Sequence, residues 1–374
     1  MKKVLIISPR PTHPVIGGNR TAIYSCCQLL EKIGCEVHFL WYTEYCPKEE
    51  YKQMSIIWGE RLFIYKKNLY HKIKRYAYRN LRFNLTGYYK CDDLYPSGIG
   101  YFTKKIDKKQ DYDILIVNYF YLSRLFNLFN HKKKILYTHD VFTNKYQLTN
   151  LKFISLRPND EMRAINRADS ILSLQEEEST FLKFLTSKTV NTIYSYTQQK
   201  ETLFVGNKNI LYLSGDNNYN IDAITHFIIN IFPAIIKQDS EIKLLIGGNI
   251  CNSIKQFEEK SNIELLGFVE NIETFYQLGD VVINPTFSGT GIKIKSFEAM
   301  AHGKIVVSHP HGIIGIYKKD IAPILVANNN NEYVEHIVKL FKEPLLLKDI
   351  KNKTINYISD LNSLIIKTFY NVIE

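Results

Sequence analysis

Long apolar runs are missing from this chain of 374 residues. No window approaches the ~18 uninterrupted apolar residues that a membrane-spanning helix needs. The N-terminal run of MKKVLIISPRP stops at Ser8-Pro9, short of the ~7–15 residues of a signal core, so it reads as a first buried strand. Paired-cysteine motifs are missing too. The six cysteines, at 26, 27, 35, 46, 91 and 251, form no C-x-x-C and share no zinc spacing with histidine. Adjacent Cys26 and Cys27 read as packing residues, and a reducing compartment is the simplest setting. No G-x-x-x-x-G-K-[ST], no first-turn G-x-G-x-x-G and no G-x-S-x-G occurs, which removes the P-loop, the dinucleotide fingerprint and the nucleophile elbow. Neither a glycosidase-type carboxylate pair nor a metal triad stands out.

What is present is an ordinary folded composition, 45 % hydrophobic and 23 % charged, with tyrosine unusually common at 26. The length suits two domains, each with its own core. A net charge of +11 raises the prior for anionic partners without choosing among nucleic acid, membrane and phosphorylated substrates.

Short apolar runs alternate with amphipathic stretches. Val4–Ser8 reads as a strand, 20–33 as a helix stopped by Gly34, and Val37–Trp41 as a second strand, the opening of a doubly wound sheet. Residues 44–110 have weak periodicity and read as short helices. Strands are expected at Ile114–Val117, Ile135–Thr138 and Ser170–Leu174. A second series begins at Ile210–Leu213 and continues through Lys243–Ile246, Ile263–Leu266, Val281–Asn284 and Ile305–Val307. The pattern gives an N-terminal domain over 1–205, a C-terminal domain over 206–354, and a final helix, 355–374, that can pack back on the first domain. Two parallel sheets facing each other would enclose a cleft, with ligands outside the carboxyl ends of the strands.

The densest chemistry lies in FSGTGIKIKSFEAMAHGKIVV, residues 287–307, at a strand–helix junction. Gly289 and Gly291 let the backbone approach a ligand, and a helix N-terminus offers unpaired N–H groups to an anion. Lys293 and Lys295 add charge there. Glu298, one turn on, suits the two hydroxyls of a ribose. Phosphates and ribose together describe a nucleotide; turn geometry and solvated lysines are the bland alternative.

The run GTGIKIKSFEAMAHGKIVV resembles the donor-site signature of family 4 glycosyltransferases. So, more weakly, do GGNRTAIYSCCQLLEKIGCEVHFL, YTHDVF, RADSILSLQEEESTFLK, SGDNNYNIDAITHF, LLIGGN and LLGFVENIETFYQLGDVVINP, in order and spacing. The resemblance spans most of the chain apart from about 44–110 and the last thirty residues. It implies an α/β GT-B fold, two Rossmann-like doubly wound domains across a cleft. It also implies a glycosyltransferase (EC 2.4 class) that moves a sugar from a UDP- or GDP-linked donor to a hydroxyl with retention, with no cofactor or metal required. By the same resemblance Lys295, Lys293 and His139 are the catalytic candidates, with His139 a hydrogen-bond partner of the sugar. Gly17, Gly18, Phe268, Val269, Gly289, Thr290, Gly291, Ile292 and Glu298 would bind the donor, and Arg20 and Asp140 are further cleft candidates. Two departures stand out. Thr290 occupies a position where many members carry Glu, and SGDNNYNID lacks the Arg and Lys that often meet the diphosphate.

The stretch 61–109 mixes Lys and Arg with Tyr, with acidic residues nearly absent before Asp92-Asp93. It is either a solvated face or a surface for anionic lipid that would present a lipid-linked or growing glycan acceptor. The expected setting is cytoplasmic, peripheral at the inner membrane face if that surface meets lipid, and the resemblance together with the many Lys, Asn, Ile and Tyr implies surface polysaccharide or glycoconjugate synthesis. The competing readings are a nucleic-acid-binding protein using the same stretch, although no helix-turn-helix, zinc-finger or RRM signature occurs, and a GT-B nucleotide-sugar epimerase or phosphorylase.

Overall fold

The computed structural model describes the chain except residues 16, 68, 150–153, 201–202 and 290–293. It divides into two compact units, Met1–Tyr196 with Ile365–Glu374, and Thr197–Leu364.

The first unit is built on seven strands: β1 (Lys3–Ser8), β2 (Glu36–Thr43), β3 (Leu62–Lys66), β4 (Ile114–Asn118), β5 (Lys133–Tyr137), β6 (Ser170–Ser173) and β7 (Thr189–Thr192). Their order is β3-β2-β1-β4-β5-β6-β7, and neighbours pair in parallel throughout. Helices cover both faces, which is why Val4–Ile7 and Ile114–Val117 are continuous apolar runs, fully buried, rather than alternating ones. The Gly18–Lys32 helix turns Cys26 and Cys27 into this core together with Leu29 and Leu30. The strand sequence reverses direction between β1 and β4, and that reversal opens a crevice at their carboxyl ends.

The second unit repeats the plan with six strands: β8 (Asn209–Leu213), β9 (Lys243–Gly247), β10 (Ile263–Gly267), β11 (Val281–Asn284), β12 (Ile305–Ser308) and β13 (Ile324–Val326). The order is β10-β9-β8-β11-β12-β13, again all parallel, so the crevice here lies between β8 and β11. Residues Asn218–Gln238 are long and apolar enough to pass for a membrane span by length and composition. Ile224, Phe227, Ile228, Phe232 and Ile235 from that run instead lie in the core of this unit, against the strands.

Four elements differ from the sequence expectation, one of them β13, a three-residue edge strand that it did not include. The 44–110 region holds a strand, β3, besides its helices; it is half-buried at the sheet edge and carries no clean alternation. β7 is a short polar edge strand in which only Val190 is buried. The chain ends in one continuous helix, Pro344–Ile373, whose last residues close the first unit, where the Lys2 ammonium donates to the Ile373 carbonyl at 2.5 Å.

Candidate active site

In the first unit the candidates gather at the carboxyl ends of β1, β4 and β5. His139 follows β5 and is buried. Its backbone is left-handed, at φ 64°, and so is that of Tyr119 after β4, at φ 70°. Such conformations cost about 1–3 kcal/mol each and persist only where the surroundings enforce them. Here the rings do so: His139 stacks on Tyr119 with centroids 4.7 Å apart and lies 4.1 Å from the Tyr137 ring. The Asn118 amide donates to the Ile7 carbonyl at 3.1 Å, which turns its Oδ1 toward the histidine, and His139 Nε2–H donates to that oxygen at 2.7 Å. Burial pushes the imidazole pKa down to about 3, so the ring is neutral and its protonated nitrogen is Nε2. Nδ1 therefore carries a lone pair, and no described residue bonds to it.

The loop after His139 is clamped from behind. Asp140 pairs with Lys145. The buried Glu161 carboxylate accepts the backbone N–H of Phe142 at 2.9 Å and of Thr143 at 2.6 Å, and the Thr143 hydroxyl at 2.5 Å. Asp140 thus orients the loop. Gly17 precedes the Gly18–Lys32 helix at φ 77° and supplies no side-chain cap, so the first-turn N–H groups of an exposed Gly17-Gly18 corner face outward. Arg20 is committed nearby: it donates to Glu50 at 2.6 Å and to the Pro14 carbonyl at 3.3 Å.

In the second unit the crevice between β8 and β11 is occupied by Lys295. The Ile294–Ala301 helix begins just before it. Its ammonium donates to Asn220 Oδ1 at 3.1 Å and to Thr286 Oγ1 at 3.0 Å, and lies 5.0 Å from the Tyr212 ring centroid. Asn220 is in the first turn of the Asn218–Asn230 helix that follows β8, and Thr286 lies just past β11. One side chain therefore spans the switch point. The helix is fastened to β11 by Asn284, whose amide donates to Ser296 Oγ at 2.9 Å and to the Gly312 carbonyl at 3.2 Å.

Gly289 has φ 101°, a backbone that side chains rarely adopt, and a Cβ there would stand 3.3 Å from the Tyr219 ring. His311 Nε2–H donates to its carbonyl at 2.8 Å, which holds the loop in place. Thr290, Gly291, Ile292 and Lys293 lie outside the described residues. Glu298 is half-buried and accepts Tyr276 O–H at 2.9 Å on Oε1. Burial raises its pKa, and the tyrosine hydrogen bond opposes that. Its Oε2 takes no hydrogen bond from a described residue. Phe268 is exposed, whereas Val269 turns inward: a Cβ on Gly247 would meet its Cγ2 at 2.7 Å. A Cβ on Gly248 would meet the Ser214 carbonyl oxygen at 2.2 Å, so glycine is what lets the loops after β8 and β9 close together.

Sequence reading missed Asn118, Tyr119, Asn220, Tyr276 and Thr286. Asn118 and Thr286 had a usable signal, a polar residue at or just past the end of an apolar strand, where open parallel sheets bind ligands. Asn220 and Tyr276 had none. Among the described residues no three His, Cys, Asp or Glu side chains assemble as a metal site.

Residues 207–343 match the family model described as glycosyl transferases group 1. An uncharacterized 44.6 kDa protein in the cps region of Klebsiella pneumoniae is 24 % identical over 398 residues, 96 % of each chain. Among solved structures, the pneumococcal O-GlcNAc transferase GtfA in complex with UDP and GlcNAc matches with a TM-score of 0.70 at 10 % identity, over 100 % of this chain and 98 % of that one. A mutant of S. aureus TarM, in complex with Fondaparinux, alpha-GlcNAc-glycerol and UDP, matches at 0.68 and 13 % identity over the whole of both chains. Anabaena Alr3699/HepE in complex with UDP-glucose matches at 0.63 and 11 % identity, over 99 % of this chain and 100 % of that one. These likenesses establish the fold as GT-B.

Proposed function

We propose that the chain, whose residues 207–343 match the model of glycosyl transferases group 1, is a retaining glycosyltransferase of family 4. It moves a sugar from a nucleoside-diphosphate donor to a hydroxyl of a glycan or lipid-linked acceptor, in surface polysaccharide or glycoconjugate synthesis. The observation that carries the reading is Lys295, a cation hydrogen-bonded to Asn220 and Thr286 at the switch point of the second sheet. The uridine nucleotides named with TarM, GtfA and HepE favour UDP over GDP, and the relative in a cps region favours the polysaccharide setting.

As the bond from the anomeric carbon to the diphosphate breaks, negative charge develops on the leaving oxygens. A fixed ammonium stabilises that charge more than it stabilises the bound donor. Removing one such preorganised donor typically costs about 3–4 kcal/mol of barrier lowering. Lys293 and the backbone of Gly289 and Gly291 would share the role. Glu298, with Oε1 steadied by Tyr276, would accept the ribose hydroxyls. Phe268 and Val269, beside the Gly267 end of β10, would border the base.

In the first unit His139 is neutral, with Nε2–H spent on Asn118, so Nδ1 would accept a hydroxyl of the transferred sugar. The Gly17-Gly18 corner adds outward N–H groups. The acceptor oxygen would attack the face that the diphosphate leaves. Its proton would pass to the departing phosphate oxygen, giving the nucleoside diphosphate and a product of unchanged anomeric configuration.

The test is donor turnover. The purified chain is incubated with UDP- and GDP-sugars, and released nucleoside diphosphate is measured while the anomeric proton of the released or transferred sugar is followed by NMR. Turnover of a UDP-sugar with retained configuration is expected. Inversion refutes the retaining assignment, and binding of no nucleotide refutes the donor site.

A further inference from the structure

Residues 69–86 form a nearly continuous helical element in the first unit: an α-helix over Leu69–Tyr78, a π-helical turn over Arg79–Phe83, and a last turn over Asn84–Thr86. One side is anchored. His71 is buried with Nε2 3.1 Å from the Tyr42 hydroxyl. Phe83 stacks on Tyr89 with centroids 4.7 Å apart, and Arg82 is held by Asp93. The opposite side carries Leu69, Tyr70, Ile73, Tyr76, Leu81 and Leu85, each between 60 % and 77 % exposed.

These residues form a single ridge because of the π turn. Along Leu69, Ile73, Tyr76, Leu81 and Leu85 the steps are four, three, five and four residues. A five-residue step drifts off the face of an α-helix but matches the i→i+5 repeat of a π turn. It falls where the chain is π-helical, so Leu81 and Leu85 return to line with Leu69 and Ile73. Basic residues flank the ridge on both sides. Lys72, Lys74 and Arg79 make no ion pair with a described carboxylate, and no acidic residue lies between Glu60 and Asp92. The helix Ile99–Gln110, within the same basic stretch of sequence, instead turns Ile99, Thr103 and Ile106 into the core in the ordinary amphipathic way.

We propose that this ridge inserts into an anionic lipid bilayer, so that the first unit sits on the membrane by the 69–85 element rather than by the whole of 61–109. Leucine and isoleucine would enter the acyl boundary, tyrosines would sit at headgroup level, and the flanking cations would meet lipid phosphates. Charge argues against the alternatives. A second copy would bring Lys72, Lys74 and Arg79 onto their own counterparts. A nucleic acid backbone would gain nothing from four exposed aliphatic side chains. The inference rests on this surface alone and stands whichever sugar the enzyme transfers.

The experiment is flotation of the full chain with vesicles of phosphatidylcholine alone or mixed with phosphatidylglycerol. Binding to the mixed vesicles is expected. Replacing Leu69, Ile73, Leu81 and Leu85 by Ser should abolish it, and Lys72, Lys74 and Arg79 by Gln should weaken it about tenfold or more. The substitution Tyr76→Trp, at a ring that is already exposed, should add indole fluorescence that brominated lipid quenches. No binding of the wild type, flotation of the serine variant like wild type, or indole fluorescence that brominated lipid leaves unquenched overturns the proposal. So does a dimer that the serine changes convert to monomer, or binding to random DNA that they abolish.

Discussion

His139 donates from Nε2 to Asn118 Oδ1 at 2.7 Å, across the carboxyl ends of the neighbouring strands β4 and β5. That bond fixes the tautomer of a buried imidazole and points the remaining lone pair on Nδ1 away from Asn118. A proton at Nδ1 would place a second charge-bearing N–H in a site that burial already makes hostile to charge.

Replacing His139 by Asn removes the ring while keeping a residue that tolerates a positive φ. Turnover of the donor should fall by about two to three orders of magnitude, the range seen when one positioned group is lost. The dissociation constant for the free nucleoside diphosphate should hardly move. Steady-state kinetics beside calorimetric titration separates the two effects.

The buried histidines should contribute less stability as the solution is acidified from neutral. Burial lowers the folded-state pKa of His139 to about 3 and of His71 to about 4, against about 6.5 for an unfolded histidine. Between those values the unfolded chain binds more protons, so each group's contribution is complete above about pH 6.5 and is lost as the pH drops through the folded value. Buried Glu178, pushed up to about 7, acts in the opposite sense in both proteins, so the measure is the difference: from pH 7 to pH 4 the melting temperature of the wild type should drop relative to that of His139→Asn.

Asp280 is a structural keystone of the second unit. Its buried carboxylate accepts the N–H of Val205 at 3.0 Å and of Gly206 at 2.8 Å, and lies 3.7 Å from Lys304 and 4.0 Å from Lys351. Burial depresses the Lys304 ammonium to about 8, with Asp280 opposing the shift. Asp280→Ala should destabilise by about 3–5 kcal/mol, because it leaves a buried cation without its carboxylate. Urea denaturation measures this, and adding Lys304→Met should recover part of the loss.

Glu298 should read the sugar of the nucleotide. The wild type should bind UDP more tightly than 2′-deoxy-UDP, and Glu298→Ala should narrow that preference to near unity while weakening UDP about tenfold. Competition titration with the two ligands checks it.

The sheets were legible where burial on both faces leaves a run of Val, Ile and Leu: β1, β2, β4, β8, β9, β11 and β12 all show in the sequence as such runs. β7 does not, because this edge strand is polar and buries only Val190; β3 is apolar but lies in a stretch of weak periodicity, and β13 is a run of only three residues. In the candidate site, Gly289, Lys295 and Glu298 stand together in one segment and are visible there. Asn118 and Thr286 carry only the general signal of a polar residue at or just past an apolar strand's end, while Asn220 becomes meaningful only when the strand order places its helix beside the crevice. The π turn was hidden as well, since a five-residue apolar step looks like lost periodicity until the backbone supplies the matching repeat.

The central claim is that the Lys295 ammonium, at the switch point of the second sheet, recognises a diphosphate. Calorimetric titration of UDP and of uridine into the wild type and Lys295→Ala tests it most directly. UDP affinity should fall about a hundredfold in the variant, by the roughly 3 kcal/mol that a charged hydrogen bond to phosphate can supply, while uridine binding is unchanged. Equal affinity of the two proteins for UDP would contradict the account.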